Sequence, residues 1–216
     1  MSRRRLLAVL AIGAVGIALA RAGALPASYV ERWAVLLENF WVFDARTVDA
    51  TPANWAVVER MAHWQAGWAM ALDHPLVGVG PGNYEAAYPD YYVGSWREPL
   101  GHAHNYYVNT FAEQGIVGLL TLVGFVTAIF ARLWWGQARA LRLGSSFDRK
   151  LFIGALGTAV AFSVHNTFDN MFVHGIGVQF GLILGIIEAR CSVLGRPQDG
   201  AERLEVAPAV RGSGDL

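Results

Sequence analysis

Cysteine is nearly absent from this 216-residue chain, with Cys191 the single example. That excludes an intrachain disulfide and a multi-cysteine metal site. Charge is scarce as well: 16% of residues are Asp, Glu, Lys or Arg, against about 25% in soluble domains. Basic and acidic residues balance at 17 each. Bulk attraction to nucleic acid therefore has no basis, and no nucleic-acid partner is expected. No acidic cluster or His/Cys set suits a metal, and no strand-to-helix dinucleotide context surrounds the glycines. Neither metal nor cofactor is expected. Repeats and low-complexity tracts are missing too. What fills the chain is apolar: 54% of residues are hydrophobic, with eight Trp and seven Tyr. That mix suits amphipathic rings at a membrane–water interface.

The first apolar run, Leu6 to Ala20, follows Arg3, Arg4 and Arg5. A spanning helix needs about 20 residues, which the run reaches by including Ala22 to Leu25. Residues 1–25 read as an N-terminal transmembrane helix or signal anchor. A cleaved signal peptide is the alternative, because Ala20-Arg21-Ala22 resembles a cleavage site. Both readings send residues 26–112 outside the cytoplasm. This segment has no spanning run and carries most of the Trp and Tyr. Residues 113–190 read as C-terminal transmembrane helices, with spans near Ile116–Trp135, Leu151–Val164 and Phe172–Ile187. The polar stretch His165 to Asn170 separates the last two. Residues 191–216 read as a disordered cytoplasmic tail. Most of the 17 basic residues fall before the first span, between Arg132 and Lys150, or after the last span. The positive-inside rule puts those stretches in the cytoplasm. The expected fold is all-α, a multipass transmembrane helical protein with a mostly helical extracytoplasmic segment.

Within the outer segment, Thr51-Pro52 predicts a helix start, with Thr as N-cap and Pro at the first position. Val57, Met61, Trp64, Trp68 and Leu72 then share one stripe, and Arg60, His63 and Gly67 a neighbouring face. Such a helix either lies in the headgroup plane or packs on the membrane domain. His74-Pro75 ends it. Gly78-Val79-Gly80-Pro81-Gly82-Asn83 follows as either a structural turn or a loop whose N–H groups meet a phosphate. His104 opens a helix at the membrane surface. There it serves as an interfacial cap or, held neutral by the helix dipole, as a base near pH 7. His102 ranks below it, since a lone His-x-His makes no metal site. His165, Asn166, Asp169 and His174 read as a solvated outer turn or, being ionisable groups at a membrane edge, as functional residues.

Two of these segments carry a resemblance. His104-Asn105, nine residues, then Gly115-x-x-Gly118 is similar to the signature of the O-antigen ligase and polymerase family of bacterial envelope glycosyltransferases. The upstream run Asp73-His74-Pro75-Leu76-Val77-Gly78-Val79-Gly80-Pro81-Gly82-Asn83 resembles the same family. The resemblance covers residues 55–190, the family's C-terminal part. It implies metal-independent transfer of a glycan from a polyprenyl-pyrophosphate carrier to an acceptor hydroxyl, with inversion, outside the cytoplasm. The donor is a lipid-linked glycan and the acceptor a glycolipid or glycan. The site is the bacterial inner membrane, where membrane lipid surrounds the chain. By this resemblance His104 and Arg60 are the catalytic residues, His104 as base and Arg60 on the pyrophosphate. Asn105, Gly80, Gly82 and Asn83 are expected to bind substrate.

The family has many more spanning helices than this chain, so a partner subunit supplying helices is also expected. The rival reading is a non-catalytic truncated or split membrane subunit that binds lipid-linked glycan or a partner protein.

Overall fold

A computed structural model describes residues 15–26, 30, 42–173 and 175–195. Most of the first expected span, His174 and nearly all of the tail lie outside the described residues. The chain is mostly helical, 66% helix, with no strand among the described residues. Residues 15–21 are helical. Then follow α1 (Trp55–Asp73), α2 (Tyr84–Ala87), a 3-10 turn (Tyr88–Asp90), α3 (Tyr106–Arg142), α4 (Ser146–His165) and α5 (Ile176–Leu194). Two of these, α3 and α5, are long and apolar enough to cross a membrane. The expected third span forms as α4, but Asp148, Arg149 and Lys150 occupy its first turns, which leaves it too charged to count with them.

The chain divides into two compact units, Met1–Gly124 with Val164–Met171, and Phe125–Ser163 with Phe172–Leu216. In the second unit, α3, α4 and α5 are joined by charge and by aromatic packing. Arg132 forks onto Glu188 with two bonds of 2.7 Å. Arg190 does the same to the buried Asp148 at 2.8 Å. Such planar, two-bond pairs are the geometry for which Arg is suited. Phe162 stacks on Phe180 with centroids 4.2 Å apart.

The first unit is built on α1. Its start differs from the sequence expectation: the N-cap is Asn54, and Trp55 is the first helical residue. Thr51 and Asn54 bond to each other instead, Thr51 N–H donating to Asn54 Oδ1 at 2.6 Å. The helix ends at His74, as Pro75 requires. Its buried face is Val58, Met61, Ala62, His63, Ala66, Gly67, Met70 and Ala71. The expected stripe is split: Met61 is buried, Val57 and Trp64 are half-buried, and Trp68 and Leu72 are 52% and 62% exposed. Small residues are buried because they admit close neighbours. A Cβ on Gly67 would meet Val108 Cγ1 at 2.9 Å and Ala103 Cβ at 3.3 Å.

The glycine loop and the start of α3 fit each other backbone to backbone. Val79 N–H donates to Ala112 O and Gly80 N–H to Glu113 O, both at 2.9 Å, and Ile116 N–H returns to Pro75 O at 2.8 Å. Helix α3 kinks at Gly115, with φ 61° and ψ −161°. A Cβ there would collide with the backbone of Leu76, and one on Gly78, at φ 68°, with the backbone of residues 112–114. Only glycine supplies both the positive φ and the missing Cβ.

Candidate functional site

Three elements of the first unit meet at one place: the middle of α1, the loop before α3, and the turn after α4. Helix α1 contributes Arg60, His63, Trp64 and Gly67, which one helical face carries because i, i+3, i+4 and i+7 align. The loop contributes His102 and His104. The turn contributes Phe168 and Asp169.

The loop is held by several bonds to its backbone. Ala103 N–H donates to Asn109 Oδ1, and His104 N–H to His102 Nδ1, each at 3.0 Å. Trp64 Nε1–H donates to His104 O at 3.0 Å. Tyr106 N–H donates to Asn166 O at 2.8 Å. Asn105 Oδ1 caps α3, accepting from Tyr107 and Val108 N–H at 3.0 Å. Those are the second and third helical N–H groups, where an N-cap acts.

His104 has a left-handed backbone, φ 50°, a conformation that costs an L-residue roughly 1–2 kcal/mol. Its side chain is 17% exposed, and Nδ1 lies 3.4 Å from Asp169 Oδ1. That contact is long for a hydrogen bond. It favours the proton on Nδ1 and a lone pair on Nε2. Nε2 is buried and has no hydrogen-bond partner among the described residues. The ring packs edge-on to His102 at 4.4 Å and to His63 at 5.4 Å.

The surrounding charges are ordered. Arg60 Nε donates to Phe168 O at 3.2 Å and Nη1 to Ala56 O at 3.0 Å. Nη2 lies 4.0 Å from Asp169 Oδ2, with both side chains 38% exposed. Asp169 thus stands between His104 and Arg60. Burial alone would raise its carboxyl, but the Asn170 N–H and His104 outweigh that and hold it below its ordinary range. Burial lowers His63 to about 4, with His104 and His102 adding to the effect. Burial and His104 lower His102 in the same direction. His63 is 1% exposed, and its Nδ1 meets Tyr84 Oη at 3.2 Å. Tyr84 O–H donates to His63 O at 3.0 Å, so the His63 bond is Nδ1–H donating.

His102, His104 and Asp169 bring one potential ligand atom each within 4.8 Å of one another. Part of this donor set is already engaged. His102 Nδ1 accepts the His104 N–H, and the Arg60 cation faces Asp169. The Arg60 charge beside Asp169 works against a cation there.

Of the residues singled out from sequence, the structure joins Arg60 and His104 through Asp169. Asn105 caps the helix and also borders an apolar cavity of about 510 Å³ lined by Met61, Trp64, Trp68, Leu72 and Val108. Gly80, Gly82 and Asn83 make the glycine loop: Asn83 Nδ2–H donates to Val79 O at 3.1 Å, and Asn83 N–H to Gly80 O at 3.1 Å. These bonds are internal to the loop and do not reach Arg60 or His104. The sequence favoured a solvated turn for Asp169 over a functional role and gave Trp64 and His63 no role at the site. The available signal for Asp169 was its place as an ionisable group at a membrane edge.

No curated protein sequence matches the chain. The family model described as O-antigen ligase matches residues 1–123, a stretch containing α1, the glycine loop, His104 and the kink at Gly115. With more than half of its length matched, the chain belongs to the O-antigen ligase family.

Proposed function

We propose that this chain transfers a glycan from a polyprenyl-pyrophosphate carrier to an acceptor hydroxyl on the outer side of the bacterial inner membrane, as a multipass protein. Family membership gives the coarser statement, a role in glycan transfer for envelope polysaccharide. The observation that supports the finer one is the Arg60–Asp169–His104 arrangement, with a buried Nε2 on His104 that no described residue bonds.

Asp169 holds the Nδ1 proton of His104, so Nε2 takes the proton of the acceptor hydroxyl. The acceptor oxygen attacks the anomeric carbon from the face opposite the leaving group. The C–O bond to the pyrophosphate breaks and the lipid pyrophosphate departs. Arg60 keeps N–H groups on Nη1 and Nη2 free for its oxygens, and a guanidinium stays charged throughout. The apolar cavity beside Trp64 and Asn105 gives the carrier's hydrocarbon a place next to the reacting groups. Partner chains supplying further helices belong to the same reading.

The test is transfer by the full chain in its active assembly, in the presence of a chelator. A positioned base contributes about 10²–10⁴-fold, so His104→Ala should lose that much turnover while donor binding persists. Arg60→Ala should weaken donor binding as well, and Arg60→Lys should recover only part of it because the fork is lost. A folded His104→Ala chain transferring at the normal rate would make the non-catalytic reading the better one. Transfer that stops with chelator and resumes with a divalent ion would overturn the metal-independent mechanism.

A further inference from the structure

We propose that His102 is a positioning residue: its imidazole caps the backbone of His104 and so aims the His104 ring. The effect on transfer rests on the function proposed above; the geometry does not.

His104 is one of two described non-glycine residues with positive φ, at 50°. L-residues rarely adopt this conformation, Asn, Asp and His being the most tolerant. An outlier of this kind points to function when the surroundings over-determine it. Here they do. The N–H of His104 goes to His102 Nδ1 and its carbonyl accepts from Trp64 Nε1–H, both at 3.0 Å. Both backbone polar groups of one strained residue are thus bonded to side chains. The first bond joins a side chain to the N–H two residues on. That is the pattern of an Asx turn, with a ring nitrogen in place of the side-chain oxygen. A neutral His102 is required for Nδ1 to accept, and its burial beside His104 keeps it neutral. The consequence falls on the His104 side chain. With the backbone fixed, Nδ1 faces Asp169 and Nε2 is left unbonded. In a free loop, His104 would relax to negative φ and the ring would leave Asp169.

The Asx analogy makes the idea testable, because Asn can replace His102 as a backbone cap but not as an imidazole. The full chain is labelled with 15N-histidine in detergent micelles, and the His104 ring signals are read beside transfer turnover. In His102→Ala the His104 nitrogens should shift away from the Nδ1–H form. Turnover should fall about 10–10²-fold, in keeping with the roughly 10²-fold loss for a misplaced group, with the donor KM near its normal value. His102→Asn should restore most of both. Trp64→Phe, which keeps an aromatic ring without the N–H, should move the His104 signals in the same direction and gives a second route if His102→Ala does not fold. Unmoved His104 signals in His102→Ala overturn the proposal whatever transfer does. So does a His102→Asn chain that behaves like His102→Ala. If the signals move and Asn restores them while turnover never changes, the cap stands and the assignment of His104 as base fails instead.

Discussion

A buried imidazole carries its consequence in its pH dependence. His63 is held neutral to about pH 4 in the fold, whereas an unfolded chain protonates it near pH 6.5. Between these values the unfolded state binds more protons, so stability rises with pH. The contribution of His63 is whole above about pH 6.5 and drains away as pH falls toward 4. His102, lowered by burial and His104, adds in the same direction. Thermal unfolding of the solubilised chain should therefore drop in midpoint across this window. His63→Phe should flatten the drop; an equally steep loss in that variant would locate the acid sensitivity elsewhere. The candidacy of His104 and Arg60 came from the family resemblance of their motif and helix. The link to Asp169 was not legible, because 65 residues separate it from His104 and only the fold joins them.

At the scale of elements, the glycine loop and the kinked start of α3 act as one unit. The two segments that resembled the family in sequence turn out to be each other's packing partners, backbone against backbone. The glycines differ in what they protect. Gly82, at φ 76°, has nothing among the described residues within 4 Å of an added Cβ, whereas Gly78 at φ 68° faces the backbone of residues 112–114. Gly82→Ala should cost about 1–2 kcal/mol from the left-handed backbone alone. Gly78→Ala should add about 1–3 kcal/mol of overpacking. Thermal midpoints of the two variants measure the difference; equal midpoints would mean the loop is not seated on α3. The helix start at Trp55 instead of after Thr51 was hidden from sequence because Asn54 competes for the Thr51 cap.

For the whole molecule, orientation decides whether His104 can do the proposed chemistry at all. The basic residues between Arg132 and Lys150 motivate a cytoplasmic α3–α4 connection, and the outer segment then includes Ser95. Both Ser95 and Ser146 are exposed, whereas Ser145 Oγ bonds Asp148 at 2.7 Å. In a Cys191→Ala background, a membrane-impermeant thiol reagent on intact cells should label Ser95→Cys and spare Ser146→Cys. The reverse pattern would place His104 on the cytoplasmic side and end the proposed reaction.

Periodicity and hydropathy by themselves determined the helical class and the end of α1 at His74-Pro75, and two short motifs carried the resemblance that pointed to the family and to Arg60 and His104 as candidates. These are local properties, written in neighbours within a helical turn or a short motif. The tertiary structure alone decided that Asp169 stands between the two, that His102 and Trp64 hold a strained backbone, and that the glycine loop seats on the α3 kink. Each depends on a hydrogen bond, a charge or a missing Cβ meeting a residue distant in the chain or held in an unusual backbone conformation. No local pattern encodes such a meeting.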